Sequence, residues 1–173
     1  MAERQNQPNF VFEPLGPNHD RAAFSCGVPQ LDIYLKTQAG QSVRKNLAAV
    51  FVMTPDGKTI AGYYTLSQYS IFLDSVPEAL AQKLSRHNEV PATLIGRLAR
   101  STAIDYGIRL GPMLLMDALH RCLILSREIA SWTVVVDAKD EKAEAFYKEF
   151  GFIDLKVPRR LFLPMQTIAK MFQ

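Results

Sequence analysis

Apolar residues recur at helical spacing between Pro112 and Ile124, directly after an apolar segment that begins at Ala92. Proline is tolerated at the first helical position, so Pro112 marks the expected start of the helix. The pattern therefore predicts a strand, a glycine-bearing connection and a helix over residues 92–123. The first turn of such a helix has backbone N–H groups without intrahelical acceptors, which can bind an anion such as phosphate.

Short apolar runs and amphipathic stretches alternate along the rest of the chain. Strands are expected at residues 9–15, 47–53, 60–73, 131–137, 152–155 and 161–165, and helices at 30–45, 77–86 and 140–150. This order predicts an α/β fold with a mixed, mostly antiparallel sheet flanked by helices. We expect residues 1–9 to be a polar tail and residues 10–173 to form one domain.

Turn and capping residues support several of these elements. Residues 55–57 (Pro-Asp-Gly) separate two strand patterns, which is typical of a hairpin turn. Asp140 is the expected N-cap of helix 140–150, and Gly151 its C-terminal cap. Gly40 is less easily explained, because glycine in the middle of helix 30–45 lowers the stability of that helix.

Composition excludes several classes of protein. Of the 173 residues, 48% are hydrophobic and 21% are charged, which is typical of a globular domain rather than a disordered chain. The first ten residues lack the apolar region of a signal peptide, and no apolar run has the length of a membrane span, so we expect a soluble cytoplasmic protein. Cys26 and Cys122 are far apart and belong to no ligand cluster; neither a disulfide framework nor a metal site is expected.

The basic residues are few enough that their position must decide their role. The formal net charge is +3, and the local concentrations are residues 44–45, Arg97 with Arg100, and residues 159–160. Solvated surface charge and nucleic-acid contact explain these pairs equally well. A dinucleotide-binding fold is disfavoured, because its glycine motif belongs in the first strand–helix unit rather than past the middle of the chain.

Several segments form recognisable motifs: CGVPQLDIYL at 26–35, AGYYTLS at 61–67, IGRLA at 95–99, LLMDALHR at 114–121, VVDAK at 135–139, AFYKEFGF at 145–152 and RLFLPM at 160–165. With the order of elements, they resemble the GCN5-related N-acetyltransferases (GNAT). Within that family they are similar to the toxin branch, whose members pair with ribbon-helix-helix antitoxins. The resemblance covers about residues 10–165.

The resemblance implies an acetyl-CoA site on the strand, loop and helix described first. Pantetheine amides would pair with the backbone of the strand, and pyrophosphate would bind the loop and the first helical turn. The implied cofactor residues are Leu98, Ala99, Arg100, Tyr106, Gly107, Ile108, Arg109, Leu110, Gly111 and Pro112.

The loop departs from the family pattern Gln/Arg-x-x-Gly-x-Gly/Ala. Tyr106 stands at the basic first position, and Arg109 replaces the first glycine, whereas Gly111 is retained. The Arg109 side chain can add a charge-assisted contact to phosphate, or its Cβ can obstruct a close approach or a positive φ. A loop that no longer binds the cofactor well is the alternative.

Tyr147 lies where the family has a tyrosine that donates a proton or a hydrogen bond to the CoA sulfur. A neutral phenol can stabilise the leaving thiolate, and Phe146 and Phe150 can supply the packing that would otherwise explain a buried ring.

No residue stands out as a general base. His19, His87 and His120 are expected at the surface, and Asp137 is expected to cap the next turn; water or the low-pKa amine of an aminoacyl ester can replace a strong base.

The toxin branch implies acetylation of the α-amino group of aminoacyl-tRNA, which blocks translation. Basic residues near the acetyl site would then contact tRNA phosphates: Arg44, Lys45, Arg97, Arg159 and Arg160. An antitoxin partner is expected, and a homodimer is one possible assembly. Two alternatives remain: a GNAT enzyme that acetylates a small-molecule or protein amine, and a degenerate GNAT fold that only binds an antitoxin.

Overall fold

The computed structural model describes residues 8–84 and 88–173. Most of the predicted polar tail, the last two residues of helix 77–86 and His87 lie outside these ranges. Within them, no helix combines the length and the apolar character that crossing a bilayer requires.

Seven strands form one sheet in the order β1-β2-β3-β4-β5-β7-β6. Their bounds are β1 Val11–Pro14, β2 Ala49–Thr54, β3 Gly62–Phe72, β4 Glu89–Arg100, β5 Thr133–Asp137, β6 Ile153–Asp154 and β7 Arg160–Pro164. The pairs β1–β2, β2–β3, β5–β7 and β6–β7 are antiparallel, whereas β4 and β5 are parallel. The predicted fold class and hairpin are therefore confirmed.

Six α-helices accompany the sheet in the described part of the chain: α1 Pro29–Ile33, α2 Ala39–Arg44, α3 Glu78–Ala81, α4 Leu110–Leu125, α5 Glu141–Glu149 and α6 Met165–Met171. The predicted helix 30–45 is present, but a π-helical stretch, Tyr34–Gln38, separates α1 from α2. The predicted helix 77–86 appears as α3 followed by a 3-10 turn, Gln82–Leu84.

The start of α4 and the presence of α6 differ from the predictions. Helix α4 begins at Leu110 rather than at Pro112; proline fits its third position because first-turn N–H groups have no intrahelical acceptor. Helix α6 was not predicted, since the apolar pattern was assigned to a strand ending at Met165. Only Met165 and Ile168 of α6 are buried, which is too short a pattern to identify a helix.

The chain divides into two compact units, and the prediction of one domain over residues 10–173 stays a prediction. The first unit runs to Leu66 and includes Arg97–Asp117. Its core contains Phe24, Tyr34, Leu35, Ala39, Val50, Val52, Ile60, Tyr63 and Ala99. It therefore holds the end of β4 and the start of α4.

The second unit contains residues 67–96 and 118–173. Its core includes Ile71, Val76, Val90, Ala92, Val135, Leu155 and Phe162, with Trp132 packed against them. Strand β5 is the centre of this unit, because Val134, Val135 and Val136 are fully buried. Helix α5 follows β5 directly.

Candidate active site

The loop between β4 and α4 is anchored where it leaves the strand. The Ser101 N–H donates to the Ala61 carbonyl at 2.7 Å, and the Thr102 N–H donates to the Ser25 carbonyl at 2.8 Å. The Thr102 hydroxyl donates to the same Ser25 carbonyl at 3.2 Å. These bonds fix the start of the loop against two other segments of the first unit.

The middle of the loop is shaped by Asp105 and Gly107. The Gly107 N–H donates to Asp105 Oδ1 at 2.8 Å, and Gly107 has a φ of 71°, which an L-residue adopts only at a cost. A Cβ at Gly107 would meet no atom within 4 Å, so this position needs glycine for its conformation and not for space. Between them, the Tyr106 ring packs edge-on against Phe10 with centroids 5.1 Å apart, and burial raises the pKa of Tyr106.

All ten predicted cofactor residues lie in the first unit, along the end of β4, the loop and the first turn of α4. The register of β4 with β5 covers Ala92–Ile95, so residues 98–100 lie beyond that paired stretch. In the first turn, the N–H groups of Leu110 and Gly111 have no intrahelical acceptor, and Pro112 has no N–H. The strand, the loop and the helix start thus form one continuous backbone surface of a kind that binds phosphate.

The backbone at Arg109 does not require glycine. Among the described residues other than glycine, only Asn46 and Arg159 have a positive φ. Arg109 is exposed at the surface of the loop. The strain that a Cβ would add in a left-handed conformation is therefore absent, and one of the two objections to Arg109 is removed.

Tyr147 is held on α5 by caps at both ends of that helix. Asp140 Oδ1 accepts from the Ala143 N–H at 2.8 Å, and Gly151, with a φ of 90°, ends the helix. The N–H of Gly151 donates to the Lys148 carbonyl, and the N–H of Phe152 donates to the Tyr147 carbonyl, which is the Schellman pattern. Both predicted caps are confirmed.

The Tyr147 side chain is 8% exposed, and its ring contacts Phe146 and Phe152 with centroids 5.3 Å and 5.4 Å away. Burial, with a smaller contribution from the Asp137 charge, raises the pKa of Tyr147 to about 12. The phenol is therefore protonated at neutral pH and available as a donor. No residue in the described ranges forms a hydrogen bond with its hydroxyl.

Asp137 pairs with an arginine instead of capping a turn, so that expectation was wrong. Arg160 Nε donates to Asp137 Oδ1 at 2.7 Å, because β5 and β7 place these two residues opposite each other. The Arg160 guanidinium also lies 5.5 Å from the centre of the Tyr69 ring. The hydrogen bond to Asp137 raises the pKa of Arg160 and neutralises much of its charge toward other ligands.

Neither histidine in the described residues 8–84 and 88–173 is placed as a general base for the proposed site. His19 was expected at the surface but is 9% exposed; its Nδ1 accepts from the Gly16 N–H at 2.9 Å, and its Nε2 lies 2.7 Å from Glu13 Oε1. Both ring nitrogens of His19 therefore have partners within the fold. The turn pattern around Gly16 did not indicate that this side chain is buried. His120 is exposed and packs against Phe172.

The five predicted tRNA-binding residues are distributed over both units. Arg44 ends α2 and is exposed, as is Lys45. Arg97, on β4 of the first unit, lies 3.5 Å from the centre of the Tyr34 ring. In the second unit, the exposed Arg159 donates to the Lys139 carbonyl at 2.9 Å, and Arg160 pairs with Asp137.

A buried tyrosine pair beside Arg97 was not predicted. Tyr34 and Tyr63 stack with centroids 6.3 Å apart, and the Tyr63 hydroxyl donates to the Leu31 carbonyl at 2.7 Å. The Tyr34 hydroxyl is buried and has no hydrogen-bond partner among the residues that the structure describes. The motifs at 26–35 and 61–67 contain both tyrosines, but helix and strand patterns assign such residues to the core.

No protein-family model matches the chain. The chain is 34% identical over 171 residues to a protein of Sinorhizobium fredii named probable toxin TacT, and the match covers 93% of this chain and 94% of that protein. It is 32% identical over 133 residues to a tRNA-acetylating toxin of Mycobacterium tuberculosis, covering 77% of this chain and 78% of the toxin. The chain belongs to the GNAT toxins.

Solved structures of other GNAT toxins have the same fold. A structure of AtaT complexed with acetyl-methionyl-tRNAfMet has a TM-score of 0.87 and 26% identity, covering 95% of this chain and 100% of AtaT. A tyrosine-to-phenylalanine mutant of the AtaT toxin, bound to the C-terminus of the antitoxin AtaR and to acetyl-CoA, has a TM-score of 0.79 and 25% identity, covering 95% and 98% of the two chains.

Proposed function

We propose that this GNAT toxin transfers the acetyl group of acetyl-CoA to the α-amino group of aminoacyl-tRNA and thereby blocks translation. The observation that carries the proposal is the 32% identity to a tRNA-acetylating toxin over 77% of this chain. The likeness to AtaT, which was solved with an acetylated aminoacyl-tRNA, supports the same reaction. Nothing observed favours a small-molecule or protein amine, or an inactive binding module, over this substrate.

The first unit binds the acetyl donor. Leu98–Arg100 pair with the amides of the pantetheine arm, and the loop from Tyr106 to the first turn of α4 binds the pyrophosphate. Supporting this role are the left-handed Gly107 and the helix start at Leu110, because unpaired N–H groups and the positive end of a helix attract phosphate. Arg109 adds a charge-assisted contact from its exposed position.

Tyr147 stabilises the leaving thiolate. As the amine nitrogen forms its bond to the acetyl carbon, the carbon–sulfur bond breaks and its electron pair goes to sulfur. With a pKa of about 12, the phenol is a weaker acid than an ordinary thiol, whose pKa is about 8.5. Tyr147 therefore acts chiefly by donating a hydrogen bond to the sulfur, and the second proton that the nitrogen loses, after its bond to the acetyl carbon has formed, completes the thiol.

The acceptor amine must lose a proton before it attacks. The α-amine of an ester-linked amino acid is less basic than a lysine amine, so water is a sufficient acceptor for that proton. The two side chains considered as bases have other partners: His19 bonds to Glu13 and Gly16, and Asp137 accepts from Arg160.

The tRNA is held by phosphate contacts, and its binding weakens as salt rises. Arg44 and Lys45 are exposed cations of the first unit, and Arg97 presents its guanidinium above Tyr34. Arg159 and Arg160 are the candidates of the second unit. We expect Arg160 to contribute least, because it is already paired with Asp137.

An antitoxin is the second partner. An AtaT structure contains the C-terminus of the antitoxin AtaR, and we infer a similar partner for this chain. The ribbon-helix-helix type of that antitoxin and a homodimer of the toxin are proposals that follow from the family resemblance. The reaction requires the cytoplasm, where charged tRNA is found.

The test is incubation of the chain with labelled acetyl-CoA and total charged tRNA. We expect label on charged tRNA, none on the same tRNA after deacylation, and none on free amino acids. Label on free amines or on proteins instead of tRNA would contradict the proposed substrate. Saturable acetyl-CoA binding without transfer to any of these acceptors would indicate the inactive binding module.

A further inference from the structure

Two arginine side chains converge on Gly40, the glycine that weakens the middle of the predicted helix 30–45. A Cβ built on Gly40 would lie 3.0 Å from Arg21 Nη1 and 3.2 Å from Arg44 Nη1, with Arg21 Nη2 at 3.7 Å. Arg21 comes from the irregular segment after β1, whereas Arg44 ends α2. Both belong to the first unit, and the fold brings their guanidinium groups over the same helical position.

This arrangement leaves positive charge uncompensated. Because both nitrogens surround one point, they are separated by roughly 6 Å or less, a distance at which two like charges repel each other. Within residues 8–84 and 88–173, neither guanidinium forms an ion pair with a carboxylate. Asp20, the neighbour of Arg21, instead accepts from the Ala23 N–H.

Gly40 leaves room for both guanidinium groups. A Cβ at this position would force the Arg21 guanidinium to move by a few tenths of an ångström, since contacts of 3.0 Å are tighter than Cβ atoms normally make. Glycine within a helix costs roughly 0.5–1 kcal/mol relative to alanine, and a π-helical stretch, which often marks a functional site, ends two residues earlier. The glycine therefore lowers the stability of the helix at the position where the two guanidinium groups meet.

We propose that Arg21 and Arg44 form a phosphate clamp, and that its ligand is a backbone phosphate of the tRNA substrate. Guanidinium groups present planar pairs of N–H donors that match phosphate oxygens, and one phosphate between them removes the repulsion. The assignment of tRNA rests on the proposed function. It adds Arg21, which no basic cluster in the sequence indicated, to the substrate-binding residues.

The same chemistry has a second source, the phosphates of acetyl-CoA. The segment that contains Arg21 also contacts the loop between β4 and α4, because the Thr102 N–H donates to the Ser25 carbonyl. We assign the tRNA because Arg44 is exposed at the end of α2, where a backbone phosphate can reach it. Separate titrations with tRNA and with acetyl-CoA distinguish the two sources.

The experiment compares Arg21→Gln and Arg44→Gln with Lys36→Gln. Lys36 is an exposed cation in the π-helical stretch, so its variant has the same change in charge but lies outside the clamp. Charged tRNA is titrated at several salt concentrations, acetyl-CoA is titrated separately, and thermal unfolding is recorded for each variant. Loss of one charge-assisted contact is expected to weaken tRNA binding about tenfold and to reduce the salt slope by about one.

The pair should behave as a unit. The double variant is expected to lose less affinity than the two single losses combined, because both arginines hold one phosphate. Neither single variant should unfold at a lower temperature, since each relieves repulsion in the free protein. Gly40→Ala should unfold at the same or a higher temperature yet bind tRNA more weakly, which a purely structural role for Gly40 would not produce.

Several results would overturn the clamp. If the wild type binds tRNA and both arginine variants bind it with the same affinity, the clamp is rejected. An equal loss of tRNA affinity in Lys36→Gln would also reject it. Weakened acetyl-CoA binding with unchanged tRNA binding would reject the tRNA phosphate as the ligand. A wild-type chain that binds acetyl-CoA but no charged tRNA would contradict the proposed function itself, which is a distinct result.

Discussion

The loop between β4 and α4 in the first unit and Tyr147 in the second unit are built in opposite ways. The loop is exposed and offers backbone N–H groups, and its shape depends on the left-handed Gly107 and the Asp105 side chain. Tyr147 is a buried side chain on a helix capped at both ends. The proposed roles therefore respond differently to substitution. The loop should tolerate new side chains but not a new backbone conformation, whereas the role of Tyr147 depends on its hydroxyl.

The largest effect should come from Tyr147→Phe. This variant keeps the ring that packs against Phe146 and Phe152, so the fold and the acetyl-CoA affinity should be unchanged. Turnover should fall about 10²–10³-fold, the usual loss when one hydrogen-bond donor to a developing negative charge is removed. Single-turnover acetylation of charged tRNA at saturating acetyl-CoA measures the change in rate. Equal rates in wild type and variant would show that Tyr147 is only a core residue. Loss of the melting transition in the variant would show that the hydroxyl has a structural role.

Arg109→Gly should have the next largest effect. The backbone at Arg109 is not left-handed, so glycine relieves no strain and removes a charged donor. Acetyl-CoA binding should weaken by about 1.5–3 kcal/mol, the range for hydrogen bonds to charged groups. Calorimetric titration measures the change; tighter binding would show that the arginine obstructs the phosphate, and unchanged affinity would reject both roles.

Gly107→Ala tests whether backbone conformation decides the loop's function. The new Cβ meets no atom within 4 Å, so only the left-handed backbone is penalised, at roughly 1–2 kcal/mol. Acetyl-CoA affinity should fall by a corresponding five- to thirtyfold. Gly57→Ala is the matched control, because Gly57 has a φ of 79° and also meets no atom, but lies in the β2–β3 hairpin; it should lower stability and leave acetyl-CoA affinity unchanged.

The smallest effect concerns pH. Because the pKa of Tyr147 is raised to about 12, the phenol stays protonated between pH 7 and 10. We expect no loss of kcat/KM from this group as pH rises through that range, and the same profile shape in Tyr147→Phe at a lower level. A falling alkaline limb that is present in the wild type and absent in the variant would show that Tyr147 ionises near pH 9.

The elements that carry the site were largely predictable because their signals are local. Asp140 and Gly151 mark the ends of α5 by their own chemistry, and the apolar pattern of α4 identified that helix. Its start was predicted two residues too late, because several residues of a first turn lack intrahelical acceptors and Pro112 fits more than one position.

Contacts between distant segments could not be predicted in the same way. The register of β5 with β7 pairs Arg160 with Asp137, whereas the sequence patterns predicted a tRNA contact for the arginine and a cap for the aspartate. The meeting of Arg21 with Arg44 over Gly40 also depends on tertiary structure. Its one signal in the sequence was a glycine within a helix, which has many explanations.

The most direct test of the account is the chemical position of the transferred acetyl group. Charged tRNA is incubated with the chain and acetyl-CoA and digested with nuclease, and the terminal aminoacyl-adenosine is analysed by mass spectrometry. The account predicts an acetyl group on the α-amino nitrogen, formed by the wild type and at a strongly reduced rate by Tyr147→Phe. An unmodified terminal aminoacyl-adenosine, with acetyl-CoA consumed on another acceptor, would contradict it.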